Sequence, residues 1–150
     1  MNEKAKNILI TIAYFLIAVA FLGSMGVWLP IAIDNYNSNS ISSETHKSLP
    51  SNILTYSLGI FLIAAIDRII HLLFKTSKYS NNILEFFAIL FACLGTGILV
   101  FLSLKSSKNT LIDDAINYSR YVAFIAWATW FYVKIQGSKA NNYSPIGGII

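Results

Sequence analysis

The stretch Ile83–Leu104, ILEFFAILFACLGTGILVFLSL, carries a single charged side chain, Glu85, in an otherwise apolar run. A transmembrane helix needs roughly 20 mostly apolar residues at about 1.5 Å of rise each, so this run is long enough to cross a bilayer. Two more segments reach that length, Ile8–Ile33 and Ile53–Phe74. A fourth, centred on Tyr121–Val133, is short and must borrow Ile116–Arg120 to cross. The chain has 150 residues, 55% hydrophobic and 12% charged, which is far from the balance of a soluble domain. The expected fold class is therefore an all-α integral membrane protein. It forms a single domain over residues 1–150, with four transmembrane helices at about 8–33, 53–74, 83–104 and 111–136.

Lys4 and Lys6 precede the first apolar segment, as they would in a secretory signal. The apolar part of a signal is about 7 to 15 residues, and this one runs well past that, so it reads as a span. Four spans put both termini on one side of the membrane. Lys4, Lys6, Lys75, Lys78, Lys134 and Lys139 then share one face, while Lys47, Lys105 and Lys108 share the other with Asp34, Glu44, Asp113 and Asp114. Cytoplasmic loops are enriched in Lys and Arg, which orients the chain N-in and C-in. The Asn- and Ser-rich segment 34–52 has no apolar period and reads as an exposed extracytoplasmic loop, and 137–150 reads as a cytoplasmic tail.

Helix contacts inside a bilayer depend on small residues that let backbones approach. Ala88, Ala92 and Thr96, at four-residue spacing with Cys93 and Gly97 beside them, form the expected packing seam. In the fourth segment, Trp130 to Tyr132 fit an interfacial aromatic belt, whereas Phe124 and Trp127 lie deeper and pack against another helix. Thr110 and Asp113 form a pattern that caps its start, and Asp113, Asn117 and Arg120 share one face.

Ionisable residues at membrane depth cost a few kcal/mol each and usually face a bundle interior or a water-filled cavity. The candidates for an intramembrane polar network are Asp67, Arg68 and His71 in the second span, Glu85 entering the third from the same side, and Arg120 in the outer half of the fourth. Three readings stay open for it. It fixes helix register through paired charges; it lines a conduit completed by Arg120; or it switches with proton binding at His71. Lys75, Lys78, Lys134 and Lys139 form a candidate basic surface for docking a cytosolic protein.

The sequence has no HExxH, no nucleophilic triad and no phosphate loop, so an enzyme is not expected. No cofactor or metal site is expected either, since one intramembrane histidine is too few for either, and the single Cys93 excludes an intrachain disulfide and a thiolate zinc site. The pI near 9.2 comes from lysines scattered over several loops and tails, which argues against direct nucleic-acid binding.

Four short-looped spans, a polar inner stripe at Asp67, Arg68 and His71, and an Asn/Ser-rich outer loop give a chain that resembles the small four-helix membrane subunits of bacterial antiphage defence systems of the Kiwa type. The resemblance is one of architecture and carries no residue correspondence. It implies a multi-pass inner-membrane protein that forms a homo-oligomer, a tetramer, and works with a cytosolic partner. The functional expectation is a membrane sensor or scaffold. The alternatives are a pore-forming effector channel or holin, and a membrane immunity protein against a toxin.

Overall fold

The computed structural model describes residues 3–74 and 81–139, and every element among them is helical. Helix α1 covers Glu3–Tyr14 and continues as a π-helical segment, π1, over Phe15–Leu22. After a break at Gly23 and Ser24 come α2 (Met25–Ser38), α3 (Ser43–Phe74), α4 (Asn81–Lys108) and α5 (Ile112–Lys139). Helices α3 and α4 are each long and apolar enough to cross a membrane. The first segment is two helices bent by 55° at the break, and counts as a third such stretch if the pair forms one span.

Helix α5 lacks the apolar length of the others, and its packing gives the reason. It lies against α3 along most of its length and also contacts α4 and α1. Ala115, Ser119, Val122, Ala126 and Val133, at spacings that keep one face inward, are all buried on it. The facing row on α3 is Pro50, Leu54, Ser57, Phe61 and Ala64, and on α4 it is Ile89, Thr96 and Ser103. The inward stripe of α5 is built from small and hydroxyl side chains, which let the backbones of α3 and α4 approach and lower its hydropathy. Bonds also tie it at both ends. Ser103 donates to the Ala115 carbonyl at 2.8 Å, and Tyr132 donates to Glu85 at 2.7 Å.

Segment π1 runs antiparallel to α5 and packs by aromatic contact. The Phe15 ring meets Phe131 at 4.3 Å, Trp130 at 5.3 Å and Trp127 edge-on at 5.7 Å, and Tyr14 stacks on Trp130. Trp130 is thus a core residue and not a member of an interfacial belt. Phe124 stays exposed, with an edge contact to Trp127.

Segment 34–52 is not a loop. Residues 34–38 complete α2 and residues 43–52 open α3, leaving only 39–42 outside helices. Local capping overrides the missing apolar period. Asn39 takes the left-handed conformation, φ 51°, that ends α2. Ser42 then caps α3 by accepting from the Thr45 amide at 3.1 Å, while its own amide donates to the Asp34 carboxylate at 2.8 Å. Leu49 and Pro50 anchor this polar turn of helix in the core.

The packing seam on α4 also differs from expectation. Thr96 is buried and Ala92 packs on the core beside Cys93, but Ala88 is exposed. Each four-residue step overshoots a turn by about 40°, so a row at strict four-residue spacing drifts off the packed face. The seven-residue row Ile89, Thr96 and Ser103 stays on it.

Candidate functional site

Two polar constellations stand out against this apolar background. The first joins α3, α4 and α5. The Arg68 guanidinium donates through Nε and a terminal nitrogen to the two oxygens of Glu85, at 2.6 and 2.7 Å. Both side chains are largely buried, 11% and 13% exposed. Two parallel charge-assisted bonds are the strongest geometry available to this pair. Tyr132 supplies a further donor to the same carboxylate. One acid from α4 is therefore held by a base from α3 and a phenol from α5.

The second constellation closes the break in the first segment. The π-type turn uses the Ala18 carbonyl, which accepts from the Gly23 amide at 2.9 Å. The Val19 carbonyl accepts from the Tyr56 hydroxyl at 2.9 Å, reaching across from α3. The Ala20 carbonyl accepts from the Ser24 hydroxyl. The Phe21 carbonyl accepts from the Trp28 indole at 3.0 Å, with the two rings stacked. Four successive carbonyls that a helix end leaves without partners each have one here. Tyr56 is in turn held from α5, because the Trp127 indole donates to its oxygen at 3.0 Å. A chain of side chains thus links α5 through α3 to the break. Glycine is required at 23 because a Cβ there would lie 2.7 Å from the Val19 oxygen and 3.2 Å from the Tyr56 ring.

The residues expected in one polar network have separate fates. Arg68 and Glu85 are brought together, and Tyr132 joins them although sequence reasoning gave it an interfacial role. Asp67 is half-buried one residue away and is not without a partner. His71 lies on α3, with its side chain outside the described residues. Arg120 does not join: it is exposed on α5, about 18 Å along the helix from Tyr132. Of the basic docking residues, Lys134 is half-buried and engaged, Lys75 and Lys78 lie outside the described residues, and Lys139 closes α5 with its side chain likewise outside them. Tyr56 and Trp127 were missed as polar partners. The available signal was two aromatics with a donor each at depth in apolar helices, where such groups need partners.

Among the described residues no group of three or more His, Cys, Asp or Glu side chains is placed to hold a metal ion. Comparison with protein-family models, with curated proteins and with solved structures finds no match to this chain.

Proposed function

We propose that the chain is a four-span, homo-oligomeric inner-membrane protein that serves as a membrane sensor or scaffold for a cytosolic partner, in the manner of the antiphage membrane subunits it resembles. The observation that carries the four-span reading is the matched length of α4 and α5. The interval from Glu85 to Ser103 on α4 and that from Tyr132 back to Ala115 on α5 are both about 26 Å, and they are bonded at each end. If α4 crosses a membrane, α5 crosses with it despite its weaker hydropathy. The bent pair α1–π1 and α2 then forms one kinked span. Its closed carbonyls fit that placement, because unpaired backbone groups are not tolerated in hydrocarbon.

The pairing of Arg68 with Glu85 favours a scaffold over a conduit. A charge that lines a water-filled path gains by facing water, whereas these two face each other with a third helix donating to the pair. The inner cluster acts as a staple that holds α3, α4 and α5 at one end.

Reporter fusions after residues 40, 77, 110 and 139 test the topology: outside at 40 and 110, inside at 77 and 139 is expected. An inside signal at 110 would remove α4 and α5 as a crossing pair. Purified protein in liposomes tests the functional class, since a sensor or scaffold leaves an ion gradient intact. Steady leakage from liposomes carrying this protein alone would establish the pore alternative instead. Affinity capture from membranes mixed with cytosol is expected to retain a partner that Lys134→Glu with Lys139→Glu releases.

A further inference from the structure

Two helix faces are polar at a depth where α4 is apolar. Their level is fixed by contacts on the outer half of the bundle. His46 on α3 and Asp113 on α5 are 3.4 Å apart, and Ala115, two residues further along α5, is bonded to Ser103 of α4. His46, Asp113 and Lys105 therefore share one level. Below it, α4 exposes Phe101, Ile98 and Leu94. Over the same depth α3 exposes Lys47, Ser51 and Thr55 in a row that winds about 80° around the helix and reaches roughly 13 Å below His46. Helix α5 exposes Asp114, Asn117, Arg120 and Tyr121, with Arg120 roughly 10 Å below Asp113. No carboxylate pairs with Arg120 among the described residues.

On α3, Thr55 is turned away from the face that packs toward α5 (Leu54, Ser57, Phe61), with Lys47 and Ser51 at the edge of that face; on α5, Asp114, Asn117 and Tyr121 are turned away from the buried face (Ser119, Val122, Ala126), with Arg120 at its edge. Lipid is a poor cover for a lysine, an arginine and an asparagine at this depth, whereas the Thr55 hydroxyl already donates to the Ser51 carbonyl at 2.9 Å. Contact between two α3 faces would leave Arg120 in lipid, and contact between two α5 faces would set Arg120 against its own copy and Asp114 against its own. Contact of α3 with α5 covers both and is complementary in charge. At matched levels Lys47 meets Asp114, Ser51 meets Asn117, and Arg120 meets the Ser51 and Thr55 hydroxyls.

We propose that the outer face of α3 in one copy of this chain docks on the outer face of α5 in the next. The contact is head-to-tail, and head-to-tail contacts close into rings when the rotation permits. Gly59 is exposed one turn below Thr55, and a Cβ there meets nothing within 4 Å, which leaves room for a neighbouring backbone. The inference rests on the membrane-embedded oligomer proposed above and specifies its surface.

Disulfide trapping in native membranes tests it, with Cys93→Ala as background. Ser51→Cys combined with Asn117→Cys, and Thr55→Cys combined with Tyr121→Cys, are expected to give a ladder of multimers on oxidation. Each single variant is expected to give no crosslinked band. Lys47→Glu added to the first pair should lower the trapped fraction about fivefold, as for a partly exposed ion pair, and Asp114→Lys should restore it. A dimer from Ser51→Cys alone would overturn the head-to-tail contact. So would multimeric wild-type protein with no ladder from either pair, which leaves the oligomer standing on another surface. Monomeric wild-type protein in nanodiscs would overturn the oligomer itself. Gly59→Leu, at an exposed position where an added Cβ meets nothing within 4 Å, gives an independent reading: it should lower the multimer fraction while the helical circular dichroism is unchanged. An unchanged multimer fraction in that variant would count against the surface.

Discussion

Substituting Glu85 by methionine removes two charge-assisted bonds from Arg68 and the acceptor of Tyr132 in one step. The Arg68 side chain is only 11% exposed, so water compensates little where it stands. Breaking a buried pair by removing one partner costs about 3 to 5 kcal/mol, and the reach of an arginine toward an interface trims this to about 3 kcal/mol. That is roughly a 150-fold loss in the ratio of folded to unfolded protein. Replacing both partners removes the uncompensated charge as well as the pair. Arg68→Met with Glu85→Met should therefore recover at least about 2 kcal/mol relative to Glu85→Met alone, since buried pairs exchanged for well-packed apolar groups are often neutral. Reversible unfolding in mixed micelles of increasing SDS fraction measures both values. The staple is refuted if the double variant is no more stable than the single one, or if Glu85→Met costs under about 0.5 kcal/mol.

Other perturbations separate the second constellation from its surroundings. Tyr56→Phe should cost about 1 kcal/mol in the same unfolding assay, the usual scale of interhelical hydrogen bonds in membranes, and should change Trp127 fluorescence as the indole loses its acceptor. Gly23→Ala should cost about 1 to 3 kcal/mol because its Cβ meets the Val19 oxygen at 2.7 Å. Gly26→Ala, three residues away with open space for its Cβ, should be neutral or stabilise α2 by up to about 1 kcal/mol. Equal costs for these two alanines would remove the clamp as the reason for glycine at 23. His46→Ala should change stability by less than about 1 kcal/mol, since its contact to Asp113 is exposed to solvent.

Some of this was legible in the sequence. Arg68 and Glu85 are charges in apolar surroundings in successive helices, and the cost of leaving either alone in such surroundings identifies the pair. The apolar stretches gave the positions of α3 and α4, because length and composition are cumulative signals. The helical start of α3 was not visible as periodicity, since its exposed residues are polar and follow a turn, and only the Ser42 cap marks it. The break after Leu22 was equally hidden. Its apolar composition continues through it, and the partners that close it sit on Tyr56 and Trp127, far away in the chain. The inward face of α5 was present as Ala115, Ser119, Val122 and Ala126 at helical spacing, but a search for large apolar residues passes over alanine and serine. The four-residue row at Ala88 was misleading for a geometric reason, the drift of such rows around the helix.

The packing of α5 on helices that precede it in the chain bears on the order in which the chain is made. Helix α5 emerges from the ribosome after the other described helices, and its weaker hydropathy gives it less drive than α3 or α4 to leave an insertion channel alone. On the four-span reading, the small and hydroxyl side chains along its inner face find partners only once those two helices are already in place. Synthesis from the N-terminus supplies them in that order. A circularly permuted chain that began with α5 would present its least apolar helix first, with nothing yet to receive it, and should insert less efficiently even though every contact in the finished fold is the same.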